Sequence, residues 1–477
     1  MKIVYAAAEC TPFFKTGGLG DVMGALPKEI AKKGEEVAVI LPFYEKIMAP
    51  KFKTELQDEF NFIVEVGWRE QYCGVKSLKK DGLTYYFIDN QYYFGRDGIY
   101  GYFDDGERFA FFQMAVIEVL ERIEFIPDVL HVNDYHTAMI PFLLKEKYRW
   151  INAYADIKTV LSIHNLQFQG IYAPQILADL FGMGLEKYYD GTIRFNDCVN
   201  FMKAGLIYAN QIVTVSPTYA EEIKTPEFGE HLEAILNQES WHLTGILNGI
   251  DYDVFDPATD PHIYQNFDSK KPAGKAENKA QLQKELGLPV EKDVLLIGAV
   301  SRLTHQKGFQ LLVNEMNNLL QFDVQVVVLG TGEYAFEEAF RYFNGAYSKK
   351  HRGIIDFDLD LAQKIYAGVD LFLMPSAFEP CGLSQMISMR YGTLPLVHEI
   401  GGLKDTVIPY NPLTKTGTGF GFVDFDSYIF METIKKALKV FMEEPKIWQK
   451  MMAQGMTTDF SWTTRSNEYQ DVYQKMF

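Results

Sequence analysis

Lys2-Ile3-Val4-Tyr5-Ala6-Ala7-Ala8, followed by Lys15-Thr16-Gly17-Gly18-Leu19-Gly20-Asp21, is the stretch that decides the fold. A short apolar run leads into a glycine loop. Behind the loop, Val22, Leu26 and Ile30 are spaced by four, and Gly34 stands where a helix would end. A buried strand, a glycine turn and a helix make one unit of a doubly wound parallel sheet.

The pattern repeats outward along the chain. Val37–Leu41, Val129–Val132, Thr159–Ile163 and Ile212–Val215 are further short apolar runs bounded by turn residues. A second series holds Val294–Val300, Val324–Leu329, Leu371–Met374 and Leu394–Val397. Amphipathic stretches lie between the runs, so the reading is α/β with two Rossmann-like domains. A length of 477 residues suggests about three domains by size alone, yet the two series fit two large ones. Residues 1–245 are expected to form the N-terminal domain and 246–458 the second. Residues 459–477 would be a C-terminal helix, with Tyr469, Val472, Tyr473 and Met476 on its apolar face. Gly245–Ile250 is the hinge candidate. Asn266–Lys279, polar and Lys-rich, reads either as a linker or as an excursion inside the second domain.

Charge narrows the partners. With 46 basic and 63 acidic residues the net charge is −17, which opposes a nucleic-acid partner over the whole surface. An anionic ligand must therefore meet a local cluster of Lys and Arg. Hydrophobic residues at 47% and charged ones at 23% exclude extended disorder. Cys10, Cys73, Cys198 and Cys381 form no CxxC pair, which suits a reducing cytoplasm. The apolar run of the N-terminus ends at Glu9, too short for a signal peptide, and no run is long enough to span a membrane.

Several loops could carry chemistry. The glycine loop can approach a phosphate closely, or it can be a tight strand-to-helix turn. The dinucleotide fingerprint fails, because Met23 stands at its third glycine position. The segment Gly298–Gly308 places Arg302 and Lys307 just past a strand. There they would suit a pyrophosphate, unless they are two solvated loop cations. Pro375–Ser384 follows another strand and carries Glu379, Cys381, Gly382, Leu383 and Ser384 ahead of a helix. Glu379 reads either as a hydrogen-bond acceptor for a polyol or as a first-turn carboxylate on the helix dipole. Cys381 reads as a small packed residue.

His131–His136 and Ser162–Gln167 end two strands and match no zinc spacing. Asp356-Phe357-Asp358-Leu359-Asp360 looks like a calcium loop, but Leu361 and Ala367 occupy its Gly and Glu positions. It is read as a polar strand or turn. No metal is expected.

Taken together, Lys15–Asp21, His131–His136, Ser162–Gln167, Leu247–Asp251, Ser301–Gly308, Glu379–Leu383 and Gly401–Leu403 resemble, in order and spacing, the bacterial glycogen synthases and plant starch synthases. The resemblance runs from Lys2 to about Trp462. It implies a retaining glycosyltransferase of the GT-B fold, with two Rossmann-like domains facing across a cleft and a final helix crossing back to the first. It implies transfer of glucose from ADP-glucose to the non-reducing 4-hydroxyl of an α-1,4-glucan, releasing ADP, without cofactor or metal.

Residue by residue, the resemblance implies that Arg302 and Lys307 bind the diphosphate, joined by Lys15 and the N–H groups of Gly18 and Leu19. Gly382, Leu383 and Ser384 would hold the distal phosphate, with Cys381 counted among the donor-binding residues, and Glu379 would accept from the sugar hydroxyls. His164 would orient the glucose, and Asn248 and Asp21 would add donor contacts. Phe357 would stack on adenine, where the family commonly has Tyr. Asp134 and His136 would lie on the acceptor side. Ile387 stands where many GT-B enzymes have a second Glu, a departure glycogen and starch synthases share. The alternatives are a GT-B enzyme using UDP-glucose, a non-catalytic glucan-binding regulator, and a phosphorylase, for which no pyridoxal phosphate motif argues. Oligomeric state is not fixed by these residues.

Overall fold

The computed structural model describes residues 1–477. The chain divides into two compact units. Unit 1 is Met1–Ile246 together with Trp462–Phe477, and unit 2 is Leu247–Ser461. The division after Ile246 lies inside the Gly245–Ile250 segment, one residue past the expected boundary. Unit 2 runs to Ser461 rather than 458, because Ser461 still pairs with Ile250 as an isolated bridge.

Unit 1 is built on nine strands: β1 Lys2–Ala6, β2 Glu36–Pro42, β3 Gln57–Val66, β4 Arg69–Lys80, β5 Leu83–Asp89, β6 Val129–Asn133, β7 Lys158–Ile163, β11 Gln211–Thr214 and β12 Leu243–Gly245. Their order is β12-β11-β7-β6-β1-β2-β5-β4-β3. The strands from β12 to β5 run parallel, while β4 and β3 extend the sheet antiparallel. β1 and β6 are covered on both faces, which is why they read as continuous apolar runs. β3 shows the alternation of a half-solvated edge, with Val64 and Val66 buried and Glu65 exposed. The sequence reading missed this meander. Its β4–β5 turn, Asp81-Gly82, has positive φ at both residues, as a two-residue hairpin requires. A small sheet of β8 Ile171–Tyr172, β9 Arg194–Phe195 and β10 Cys198–Asn200 completes the unit.

Unit 2 carries a parallel sheet of β13 Leu295–Val300, β14 Val324–Leu329, β15 His351–Ile354, β16 Leu371–Met374, β17 Leu394–His398 and β18 Phe420–Phe422. The order is β15-β14-β13-β16-β17-β18. One core spans its strands and flanking helices, including Leu295, Ile297, Val326, Leu371, Leu396, Ile434 and Trp448. Asn266–Lys279 is an excursion inside this unit, and most of it is not linker. Pro272 precedes the helix Ala273–Glu285, whose buried residues include Lys275, Asn278, Lys279 and Leu282. The buried lysines disguise the inward face. Lys275 Nζ donates to the carbonyls of Ala367 and Tyr391 at 3.0 and 2.9 Å and to Thr393 Oγ1 at 2.7 Å. Lys279 pairs with Asp370 at 2.7 Å.

The final helix is Trp462–Gln474, starting three residues later than expected, and it belongs to unit 1. Tyr469, Val472 and Tyr473 are buried, while Met476 lies beyond the helix end and is only half-buried. The Tyr473 hydroxyl meets Tyr5 Oη at 2.7 Å and His131 Nδ1 at 2.7 Å. His131 Nε2 in turn meets Ser162 Oγ at 2.6 Å. This network ties the helix to β1, β6 and β7. No helix is long and apolar enough to cross a membrane.

Candidate functional site

In unit 1 the site begins where β1 ends. Glu9 is 3% exposed. Its carboxylate accepts hydrogen bonds from the Thr16 N–H, the Thr16 hydroxyl at 2.8 Å, the Gly17 N–H at 3.2 Å and the Tyr100 hydroxyl at 2.6 Å. The helix Gly18–Lys32 starts directly after this anchor, so Gly18 and Leu19 supply its first N–H groups. Lys15 is exposed and pairs with Asp21 at 2.7 Å. The glycines here differ in purpose. A Cβ at Gly20 would stand 2.5 Å from Lys15 Cβ, and one at Gly24 would stand 2.8 Å from the Thr11 carbonyl, so the protein's own packing demands both. A Cβ at Gly17 or Gly18 would meet nothing within 4 Å, so their bareness leaves open space beside the loop.

The ends of β6 and β7 carry the second part. Asn133 donates its amide to the Ala6 carbonyl at 3.1 Å, so its Oδ1 faces His164 Nε2 at 2.9 Å. That contact makes Nε2 the protonated nitrogen of His164. Nδ1 then keeps a lone pair, buried and without a protein partner. Desolvation lowers the His164 pKa to about 4, so the ring is neutral near pH 7. Asp134 sits at φ 55° and ψ −176°, a conformation costly for any residue but Gly. Its carboxylate accepts from the N–H groups of His164 at 2.7 Å and Asn165 at 3.4 Å. Burial raises its pKa to about 7. His136 is 6% exposed, its ring stacked on Tyr100 at 4.6 Å and edge-on to Phe109 at 4.5 Å. Both Asp134 and His136 therefore lie within the shelf that carries His164. His131 is held inside the Tyr473 network, as a structural histidine is.

In unit 2 three loops meet beyond β13, β16 and β17. Lys307 Nζ lies 2.6 Å from Glu379 Oε2, and Ser376 Oγ donates to the same oxygen at 3.0 Å. Lys307, Ser376, Glu379, Gly382, Leu383 and Ser384 line one hollow of about 70 Å³ with Val300, Ser301, Phe309, Leu373 and Met374. The loops are welded by backbone contact. Gly308, at φ +77°, would place a Cβ 1.9 Å from the Pro375 carbonyl, and the Ala377 N–H donates to Gln306 at 2.9 Å. Gly401, at φ +48°, would place one 1.9 Å from the Glu379 carbonyl. The helix itself, Ser384–Arg390, begins after the loop. Glu379 is thus a side chain of the preceding loop, turned onto Lys307, and its first-turn reading fails. Ser384 Oγ accepts from Tyr366 at 2.8 Å.

Arg302 is exposed on the same loop as Lys307. That loop is gripped by Glu333, which accepts from the His305 N–H at 2.9 Å and meets its Nδ1 at 2.6 Å. Asn248 is buried with Oδ1 unpartnered, Cys381 is buried, and Phe357 is 76% exposed. Asp358 caps the helix Leu359–Gly368 by accepting from the Leu361 N–H, so the supposed calcium loop is a turn and a helix start. No group of three His, Cys, Asp or Glu side chains is placed to hold a metal ion.

Glu9, Asn133, Ser376 and Glu333 were missed by sequence reasoning. Glu9 alone left a signal there: a carboxylate ending an apolar run, where a charge has to be compensated.

The comparisons with known proteins bear on the family and the fold. Residues 2–238 match the family description "Starch synthase catalytic domain", and residues 278–452 match "Glycosyl transferases group 1". The catalytic domain of starch synthase IV from Arabidopsis thaliana, solved bound to ADP and acarbose, superposes with a TM-score of 0.92 at 32% identity, covering 100% of this chain and 99% of that one. Two doubly wound units with these loops define a glycosyltransferase of the GT-B fold. Glycogen synthase of Ligilactobacillus salivarius is 60% identical over the full length of both chains. That of Streptococcus mutans is 58% identical, also over the full length of both. The chain belongs to the family of bacterial glycogen synthases and plant starch synthases.

Proposed function

We propose that this enzyme transfers glucose from ADP-glucose to the non-reducing 4-hydroxyl of an α-1,4-glucan, with retention at the anomeric carbon and release of ADP. The observation that carries the reading is the Lys307–Glu379 pair in the unit 2 hollow. A cation and a hydrogen-bond acceptor stand side by side there, as a diphosphate joined to a polyol requires. Kinship with glycogen synthases and with an ADP-bound starch synthase supports the donor and the acceptor.

Lys307 and Arg302 stabilise the charge that develops on the departing diphosphate. Lys15, Asp21 and the N–H groups of Gly18 and Leu19 bind the donor, with Asn248. Gly382, Leu383 and Ser384 form the wall that takes the distal phosphate, next to the buried, donor-side Cys381. Glu379 accepts from sugar hydroxyls. His164 Nδ1, left as an acceptor by Asn133, takes a hydrogen bond from the glucose. The exposed Phe357 ring offers a face to the base. Asp134 and His136 shape the acceptor side, Asp134 by holding His164.

The glucosyl C1–O bond to the diphosphate breaks and the bond to the acceptor oxygen forms on the same face. The acceptor proton passes to the leaving phosphate oxygen. Positioning and electrostatics supply the rate, and no carboxylate nucleophile or metal is assigned. None of the four cysteines is in a disulfide, which supports a cytoplasmic setting. The test is ADP release on glycogen, with ADP-glucose and UDP-glucose compared. No release from either donor refutes the reading, and release from UDP-glucose alone replaces the donor.

A further inference from the structure

Glu9 is a buried carboxylate that the reaction just described does not use. It has no lysine, arginine or histidine partner. Two backbone N–H groups and two hydroxyls compensate it instead, three of the four on the glycine loop. Burying a carboxylate is expensive unless such charge-assisted bonds replace its water. The arrangement therefore stands only while the loop keeps its shape, and the loop keeps its shape only while Glu9 holds it.

The bonds also sort the loop's donors. The Thr16 and Gly17 N–H groups turn inward to Glu9. The Gly20 N–H donates to the Gly17 carbonyl at 3.2 Å. Gly18 and Leu19 remain to face the open side, where a Cβ on Gly18 would meet nothing. Tyr100 links this anchor to the other shelf of the unit, since its hydroxyl donates to Glu9 and its ring stacks on His136.

We propose that Glu9 is a positioning residue for the nucleotide-sugar donor. Its carboxylate draws the Thr16 and Gly17 amides inward and so presents the Gly18 and Leu19 amides, with Lys15, to the diphosphate. This inference rests on the donor reading above. It also gives the loop glycines separate duties: Gly20 and Gly24 satisfy the protein's own packing, while Gly17 and Gly18 leave room for the ligand.

The test compares Glu9→Ala, Glu9→Gln and Tyr100→Phe in the full chain. In Glu9→Ala, hydrogen exchange of a peptide spanning residues 14–20 speeds up at least tenfold, a readout that needs no turnover. The KM for ADP-glucose rises about tenfold or more, while the KM for glycogen stays within twofold of wild type. Glu9→Gln restores most of the donor KM. Its carbonyl can still take the two N–H bonds, and its NH₂ can donate to the Thr16 and Tyr100 hydroxyls, both of which also accept. Tyr100→Phe, which removes one of four bonds, gives a smaller rise in donor KM.

Unchanged loop exchange in folded Glu9→Ala, or donor and glycogen KM values rising together, overturns the proposal. If Glu9→Ala does not fold, Tyr100→Phe decides: its donor KM must rise while its glycogen KM does not. Wild-type protein that releases no ADP refutes the donor reading, and the exchange result then still reports on the loop.

Discussion

Replacing Tyr473 by Phe removes one hydroxyl from a fully buried junction. That hydroxyl is the meeting point of Tyr5 Oη and His131 Nδ1, each at 2.7 Å. Phe fills the same space, so no cavity term enters. Two hydrogen bonds go, at about 1 kcal/mol each, and two buried polar groups are left unpaired at a further fraction of ~1–3 kcal/mol. The expected loss is about 2–4 kcal/mol, near 5 °C or more in the melting of a unit this size. Tyr5→Phe costs only about 1 kcal/mol, because Tyr473 keeps its bond to His131. The double variant should be more stable than the sum of the two losses predicts, since the orphaned Tyr5 hydroxyl is then gone. Burial lowers the His131 pKa to about 3, so the ring stays neutral and the loss should be equal at pH 6 and pH 8. Differential scanning calorimetry on the three variants measures all of this. A Tyr473→Phe protein melting within 1 °C of wild type, or strictly additive losses, refutes the reasoning.

Other outcomes follow from the same geometry. Lys307→Ala should lose about 10²-fold or more in kcat at saturating ADP-glucose, and near-wild-type turnover would remove Lys307 from the leaving-group role. Gly401→Ala should abolish expression of active enzyme, since its Cβ would stand 1.9 Å from the Glu379 carbonyl at a positive φ; a soluble, active variant would contradict the weld. Asp134 has a folded pKa raised from 3.8 to about 7, so the stability it adds is full below its unfolded pKa and is lost as pH rises toward 7. Wild type should therefore gain melting temperature relative to Asp134→Asn between pH 7 and pH 5, and parallel curves would count against that shift.

What the sequence revealed, and what it hid, follows the physics of each segment. β1, β6, β13 and β16 are covered on both faces and so stand out as apolar runs. β3 and β4 alternate, and their weak apolar content concealed them, although Asp81-Gly82 marked the hairpin between β4 and β5. The helix Ala273–Glu285 escaped because two of its inward residues are lysines serving carbonyls. Among site residues, Arg302, Lys307, His164 and the glycines were visible as loop motifs. Asn133 and Glu333 were not, because their task is to orient a neighbour's nitrogen or amide, and only three-dimensional adjacency discloses such partners. The Glu379–Lys307 contact joins residues far apart in sequence, so spacing alone could not pair them.

The discontinuity of unit 1 bears on how the molecule is made. All nine strands of its main sheet have been synthesised by Gly245, but the helix that seals Tyr5 and His131 starts only at Trp462. At ordinary ribosomal speeds this interval lasts roughly ten to forty seconds. During that time Leu247–Ser461, being contiguous, can fold to completion, while the earlier sheet waits with two polar groups and an apolar flank uncovered. A segment made after unit 2 closes a sheet made before it. A change in the pace of synthesis between Gly245 and Trp462 would thus act on a sheet whose strands are already made.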